Sequence, residues 1–284
     1  MSYADISYQF FGEGSKLIRP YFMEIKDELK RANINYTLEE YLSISLFTTA
    51  LTFLFETVIL AFLFGLFIAP GIAVLLSLTL STALSALLFF LFYTYPTAAA
   101  KNRSNKITKV LPFATSYMST IASSESQPIN VFRTISNFKE YGELSKETES
   151  IVRDVELFGM TASSAIKKQA KITPSSELKE LLFGINTMLL TGGNLGVFLK
   201  EKSQEYMNDH RRRIRKYSQD LSLYVELYLT LIITGSIFFI VLSSIISTIS
   251  AGLGTIMIQT LIVFIMLPLI SIGFILLIRS ANPT

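Results

Sequence analysis

TVILAFLFGLFIAPGIAVLLSLTLSTALSALLFFLFYTYPTAAA, from Thr57 to Ala100, runs for 44 residues without one charged side chain. A membrane-crossing helix takes about 20 apolar residues, so this stretch holds two, and Ala69-Pro70-Gly71 near its middle supplies the break between them. A second uncharged stretch, Leu227 to Ile278, is 52 residues long and is interrupted by Ser250-Ala251-Gly252-Leu253-Gly254. The reading is two helical hairpins, with crossings at about 42–68, 71–95, 223–249 and 255–278.

Working outward, the chain has 284 residues, 50% of them hydrophobic, and a mean hydropathy of +0.46. That is the balance of an integral membrane protein with a large polar part rather than of a soluble globule. Met1 to Asn35 is polar and contains no continuous apolar run, so no cleaved leader is expected and insertion falls to the first crossing. There is no Cys and a single His. Disulfides, thiolate metal sites, cysteine nucleophiles and histidine relays are thereby excluded, and no cofactor or catalytic residue is expected. A net charge of +3 is too small to argue for nucleic acid.

Every Lys and Arg lies in Met1 to Tyr41, in Ala98 to Asp220, or at Arg279, and neither hairpin turn carries any. Basic residues mark the cytoplasmic side, so both termini and the central segment are expected there, in a multi-pass protein of the cytoplasmic membrane. Tyr93, Tyr95, Tyr224 and Tyr228 stand at the expected interface, where aromatic rings bridge lipid and water.

Before the membrane, Ile18, Tyr21, Phe22, Ile25 and Leu29 recur at helical spacing, an amphipathic stretch that suits either a membrane surface or a protein face. Thr37-Leu38-Glu39-Glu40 is a capping box that starts the first crossing. Between the hairpins the pattern is helical throughout, in segments at about 105–123, 128–139, 143–158, 161–171, 174–191 and 194–222. Pro128 and Pro174 suit first helical positions, Thr161, Thr173 and Asn194 suit caps, and Gly142, Gly159 and Gly192-Gly193 suit stops. The division is therefore 1–41 amphipathic segment, 42–95 first hairpin, 97–222 polar helical domain and 223–278 second hairpin, and the fold class is all-α. Ser126 to Phe132 and Gly192 to Phe198 share a helix-turn-helix pattern, as ordinary caps in an antiparallel bundle also would.

The chain resembles the F family of type II secretion, which includes the membrane platform proteins of type IV pili and of archaeal flagella (archaella). The residues that carry the resemblance are Leu111-Pro112, the turn before Pro128-Ile129, Tyr141-Gly142, Ala170 to Ser175, and above all Leu190-Thr191-Gly192-Gly193-Asn194-Leu195 running into a long helix with a basic end. Tyr8 to Gly12 and Leu29 to Tyr41 look like the archaeal branch. The resemblance implies a cytoplasmic six-helix bundle between membrane hairpins and a non-enzymatic role in assembling surface filaments. It further implies a secretion-class ATPase and prepilin- or archaellin-like subunits as partners. Ser124-Glu125-Ser126 departs from the family's usual Ser-Gly turn. Many members carry two bundles and this chain one, which implies pairing with itself or a related subunit, or a shorter version of a longer protein.

Four groups of residues are candidates for contact. Glu143, Glu147, Glu149, Asp154 and Glu156 lie on one predicted helix, as an ATPase-docking face or as a solvated one. Arg211, Arg212, Arg213, Arg215 and Lys216 attract anionic lipid at roughly 1 kcal/mol each, or help pass force from an ATPase into the third crossing. Glu56 is the one acid inside a crossing, suited to a subunit's helix or to a structural hydrogen bond with Gln259. Ala73, Ser77, Ser81 and Ser85, every fourth position, form a small-residue ridge for close helix packing. Pro268 should kink the fourth crossing.

Gly12-Glu13-Gly14-Ser15-Lys16 lacks the spacing of a phosphate-binding loop, so any ATP is expected to be hydrolysed by a partner. Paired intramembrane Asp, or Ser with His, would mark a membrane protease, and neither is present. A small transporter or membrane sensor is the alternative class, but a transporter needs several polar groups at the midplane.

Overall fold

The computed structural model describes residues 3–124, 127–249, 257, 260–261, 264–265 and 267–280, and every regular element among them is helical. The chain divides into two units, Met1–Ser203 and Gln204–Thr284.

The first unit opens with α1 (Tyr3–Ile18), a 3-10 turn (Arg19–Phe22) and α2 (Met23–Arg31). Gly12 to Lys16 is thus helical, not a loop. Pro20 near the start of the 3-10 turn separates the two helices. The amphipathic stretch faces protein: Ile25 and Leu29 are buried with Leu38, Tyr41 and Leu42, and Ile18, Phe22 and Phe92 pack around them. Tyr21 is excluded and stands exposed.

Next, α3 (Leu38–Gly65) starts at the expected capping box. The Glu40 amide donates to Thr37 Oγ1 at 3.2 Å, and the Thr37 amide donates to the Glu40 carboxylate at 2.8 Å. After a short turn, α4 (Pro70–Ala122) begins with Pro70 in its first turn. Ala73, Ser77, Ser81 and Ser85 are all buried, and the Ser81 and Thr57 hydroxyls meet at 2.7 Å between α4 and α3. The ridge therefore serves packing within the hairpin.

The helix of the second crossing runs on past residue 95. α4 continues through Pro96 and Pro112 as one helix of 53 residues, so the expected boundary between hairpin and polar domain falls inside it. Pro96 has no N–H to offer the carbonyl of Phe92 four residues back. The Tyr41 hydroxyl donates to that carbonyl instead, at 2.8 Å.

The polar domain comprises the second half of α4, then α5 (Pro128–Asn137), α6 (Glu143–Glu156), α7 (Ala162–Ile172), α8 (Ser176–Thr191) and the first turns of α9 (Leu195–Leu227). Ile107, Leu111, Ala114 and Met118 line one face of α4. They are buried with Phe132 and Ile135 of α5, Leu144 and Ile151 of α6, Ile166 of α7, Leu181 and Ile185 of α8 and Leu199 of α9. Burying each large apolar side chain contributes roughly 1.5–3 kcal/mol. Thr161 caps α7 and Asn194 accepts from the Val197 amide at 3.0 Å, as expected. The cap of α8 is Ser175, two residues after the expected Thr173, which closes α7 instead, so Pro174 precedes the helix. The turn at Glu125-Ser126 lies outside the described residues.

Two glycines set the α8 to α9 corner. Gly192 holds φ +68°, and a Cβ on Gly184 would stand 2.3 Å from the Phe198 ring. Left-handed backbone costs a residue with a Cβ about 1–2 kcal/mol, and Asn much less. Gly192→Ala is therefore expected to lower stability by about that amount and Gly192→Asn by clearly less, read as unfolding midpoints in detergent.

In the second unit α9 runs on to Leu227, followed by a π-helical stretch (Tyr228–Thr234), α10 (Gly235–Ile249) and α11 (Leu267–Ser280). The Tyr228 hydroxyl meets Ser271 Oγ at 3.3 Å, and its ring lies 5.2 Å from that of Phe274. The expected turn at Ser250 to Gly254 and much of the fourth crossing lie outside the described residues. Pro268 falls in the first turn of α11.

Among the described residues three helical runs are long and apolar enough to cross a membrane: Leu38–Gly65, Pro70–Ala122 and Leu195–Ile246, with mean hydropathies of 2.0, 2.2 and 2.4. The chain is an all-helical membrane protein.

Candidate functional site

The acids of α6 were expected on one exposed face. Two of them turn inward instead: Glu147 is 4% exposed and Asp154 2%. Their positions explain it, because Glu147, Ile151 and Asp154 follow one another at helical spacing along the side that carries Leu144 into the core. Glu149 and Glu156 remain on the surface.

What meets the buried Glu147 is Arg103 of α4, whose side chain is 14% exposed. Its Nε donates to Glu143 Oε2 at 2.7 Å, its Nη2 to Glu147 Oε1 at 2.8 Å, and its Nη1 to the Arg31 carbonyl at 2.5 Å. One planar guanidinium thus joins the end of α2, the middle of α4 and the start of α6. A forked donor set of this kind is what Arg offers and Lys lacks. Glu147 Oε2 accepts from Gln169 Nε2 of α7, and Glu143 Oε1 accepts from Lys146 Nζ at 2.7 Å. Farther along α6, Asp154 pairs with Lys168 of α7 at 2.7 Å and Glu156 with Arg133 of α5 at 2.5 Å.

The two carboxylates on Arg103 are driven in opposite directions. Burial pushes the Glu147 carboxyl above the ordinary value, outweighing the Gln169 hydrogen bond and the Arg103 charge. For Glu143 burial also raises, but hydrogen bonds from Lys146 and Arg103 and their charges prevail and hold the carboxyl low. Beside the network a polar cavity of about 250 Å³ is lined by Lys30, Asn33, Lys146, Glu149, Arg153 and Gln169. The arrangement clamps helices together.

Of the other candidates, Arg211, Arg212, Arg213, Arg215 and Lys216 all lie exposed on α9, and Arg212 pairs with Asp209 one turn back. Glu56 is half-buried in α3, and its Oε2 has no hydrogen-bond partner among the described residues. Gln259, its expected partner, lies outside them.

Sequence reasoning missed Arg103, Lys168 and Gln169 as partners of the acids. The i, i+4 spacing of Glu143 and Glu147 was the available signal, since two acids on one helical face invite a shared cation. The cation itself lies 40 residues away in sequence.

Comparison with known proteins bears out the resemblance. Residues 114–243, from the last turns of α4 into α10, match the family described as Type II secretion system (T2SS), protein F. An uncharacterized protein of Methanocaldococcus jannaschii is 26% identical over 161 residues, 57% of this chain and 27% of its own length. Flagella accessory protein J of the same organism is 27% identical over 150 residues, 52% of this chain and 26% of its own length. The chain spans about a quarter of the length of these curated relatives. No solved structure matches it.

Proposed function

We propose, from a membrane chain that carries a type II secretion F domain across residues 114–243, that this protein is a membrane platform for assembling an archaellum or type IV pilus-like filament. The observation that supports this most is where the match falls: it takes in α5 to α9 and runs on into the apolar stretch that follows. On this reading the polar domain is a cytoplasmic six-helix bundle between two hairpins of two crossings each. Both termini are cytoplasmic, and the chain pairs with itself or a related subunit. It catalyses nothing: a cytoplasmic secretion-class ATPase supplies the energy, and prepilin- or archaellin-like helices leave the bilayer beside the crossings.

With Glu147 and Asp154 buried inside the domain, the surface acids of α6 that meet an ATPase on this reading are Glu149 and Glu156, the latter already paired with Arg133. On this reading the exposed basic run Arg211 to Lys216 faces anionic headgroups. The test is photo-crosslinking in cells from positions 149 and 156, with position 58 in α3 as the lipid-side control. An ATPase adduct from the α6 positions and none from position 58 is expected. Recruitment of the ATPase to membranes that stays unchanged when residues 110–199 are deleted would overturn the reading.

A further inference from the structure

α1 has two kinds of surface. Toward α3 it presents small side chains, with Ser7, Gly12 and Ser15 buried and both hydroxyls returned to the helix backbone, Ser7 to the Ala4 carbonyl and Ser15 to that of Gly12. Along the flank of that contact it presents Tyr3, Phe10 and Leu17, seven residues apart and hence on one face. Phe10 is 71% exposed, Leu17 79% and Tyr3 49%. A surface helix of a soluble protein would hold charge at these positions. Here Gln9, Glu13 and Lys16 occupy the neighbouring strip instead.

What meets the apolar strip is indicated by what it joins. The Phe10 ring stacks on Phe47 of α3 at 6.0 Å, and Tyr3 meets the same ring edge-on at 5.7 Å. Phe47 begins a row on α3 that continues through Leu51, Leu54, Phe55 and Val58, all four exposed, at the spacing of one helix face. That row lies on the part of α3 long and apolar enough to cross a bilayer. The exposed face of α1 therefore extends the apolar face of α3 without a break. α1 also runs against the direction of α3: the Tyr3 hydroxyl reaches Thr48 at 2.8 Å, whereas Arg19, just past its other end, pairs with Glu39 at 2.8 Å. Tyr3 is the deeper end and the basic Lys16 and Arg19 the shallower one, which is the order in which hydrocarbon edge and anionic headgroups are met.

We propose that Tyr3, Phe10 and Leu17 form a lipid-binding face by which α1 enters the interfacial layer of the bilayer beside α3. The proposal rests on the membrane reading of α3. α1 then acts as a collar where that helix enters the bilayer, with Lys16 and Arg19 set against lipid phosphates. A lipid surface fits better than a protein groove because the strip is continuous with a surface that lipid already covers.

The natural absence of Cys makes the test direct. Single Cys variants at Phe10, Leu17, Gln9 and Glu13, with Val58→Cys as the lipid reference and Glu149→Cys as the aqueous one, are spin-labelled in the full chain and reconstituted in vesicles containing anionic lipid. Collision rates with oxygen, which concentrates in lipid, and with a water-soluble nickel chelate are then compared. The oxygen-to-nickel ratio should be several-fold higher at position 10 than at 9 and 13, with position 17 between. Equal ratios at 9, 10, 13 and 17, all near that of position 149, would sink the proposal while leaving the membrane reading intact. Shielding of positions 10 and 17 from both reagents would also sink it and would indicate a protein partner. A lipid reference at position 58 that reads as aqueous would instead strike at the membrane reading itself.

Discussion

Replacing Arg103 with Ala is expected to destabilise the polar domain by about 3–5 kcal/mol at neutral pH, the usual effect of removing one partner from a buried ion pair. The loss is large because Glu147 is 4% exposed and would be left without its cation, while the Arg31 carbonyl would lose its donor. Arg103→Lys should fall between, since an ammonium has no fork to span Glu143, Glu147 and the carbonyl at once. Adding Glu147→Gln to Arg103→Ala should recover much of the loss, because the stranded charge goes while the side chain's shape stays. Unfolding midpoints in detergent and protease resistance of the domain check this. An Arg103→Ala protein as stable as the natural one would show that the clamp carries no weight.

The pH dependence follows from the two acids. Glu143 is held below its ordinary value of 4.5, so its contribution is present above that pH and fades as pH falls through its lowered folded value. Glu147 is raised, so burying it is least costly below 4.5 and becomes costlier as pH climbs through its raised folded value. Without Arg103 both effects leave their largest deficit at neutral pH. The gap between natural and Arg103→Ala proteins should therefore narrow as pH falls toward 4.5.

The second large effect is expected at Ser81→Leu. Ser81 is fully buried between α4 and α3, and a larger side chain there overpacks the contact by about 1–3 kcal/mol. The hydrogen bond to Thr57 is lost as well, about 0.6 kcal/mol on average between membrane helices. In lipid, association of α3 and α4 rests on close contact rather than on the hydrophobic effect, so wedging them apart removes most of what holds the hairpin. Ser81→Ala should be mild, and Leu75→Ala, 67% exposed on the outer surface, should be silent. Thermal unfolding in bilayer discs separates the three. Equal behaviour of Ser81→Leu and Leu75→Ala would mean that the ridge is not the contact that holds the hairpin.

The helices of the polar domain were legible from sequence because their ends are written locally. Thr37, Thr161, Asn194, Pro128 and the glycines at 142, 159 and 192 each act within a few residues, and the structure places them at helix ends. The small ridge on α4 was legible for the same reason, since a four-residue repeat names its own face. The continuity of α4 through Pro96 could not be read locally, because the compensating donor, Tyr41, lies 55 residues earlier. Two readings fell short. The acids of α6 looked like a surface because Arg103 had been counted only among the basic residues flanking the membrane. The helix at Tyr3–Ile18 was missed because its packed face is made of Ser and Gly, which carry no hydrophobic period. Its large apolar residues Tyr3 and Phe10 sit at the edge of that face, against Phe47.

α4 is a rigid rod about 80 Å long at 1.5 Å per residue, and Pro96 divides it near its middle. At that joint the backbone has already lost a rung, and a tyrosine hydroxyl from a neighbouring helix stands in for it, so flexure there strains one side-chain contact instead of a ladder of main-chain ones. From the joint to Ala122 is about 39 Å, so a swing of about 5° carries the far tip roughly 3 Å. A lever with that gearing converts a nudge at its tip into a small, stiff rotation at the fulcrum, and substituting Tyr41 with Phe is the lightest way to loosen the bearing.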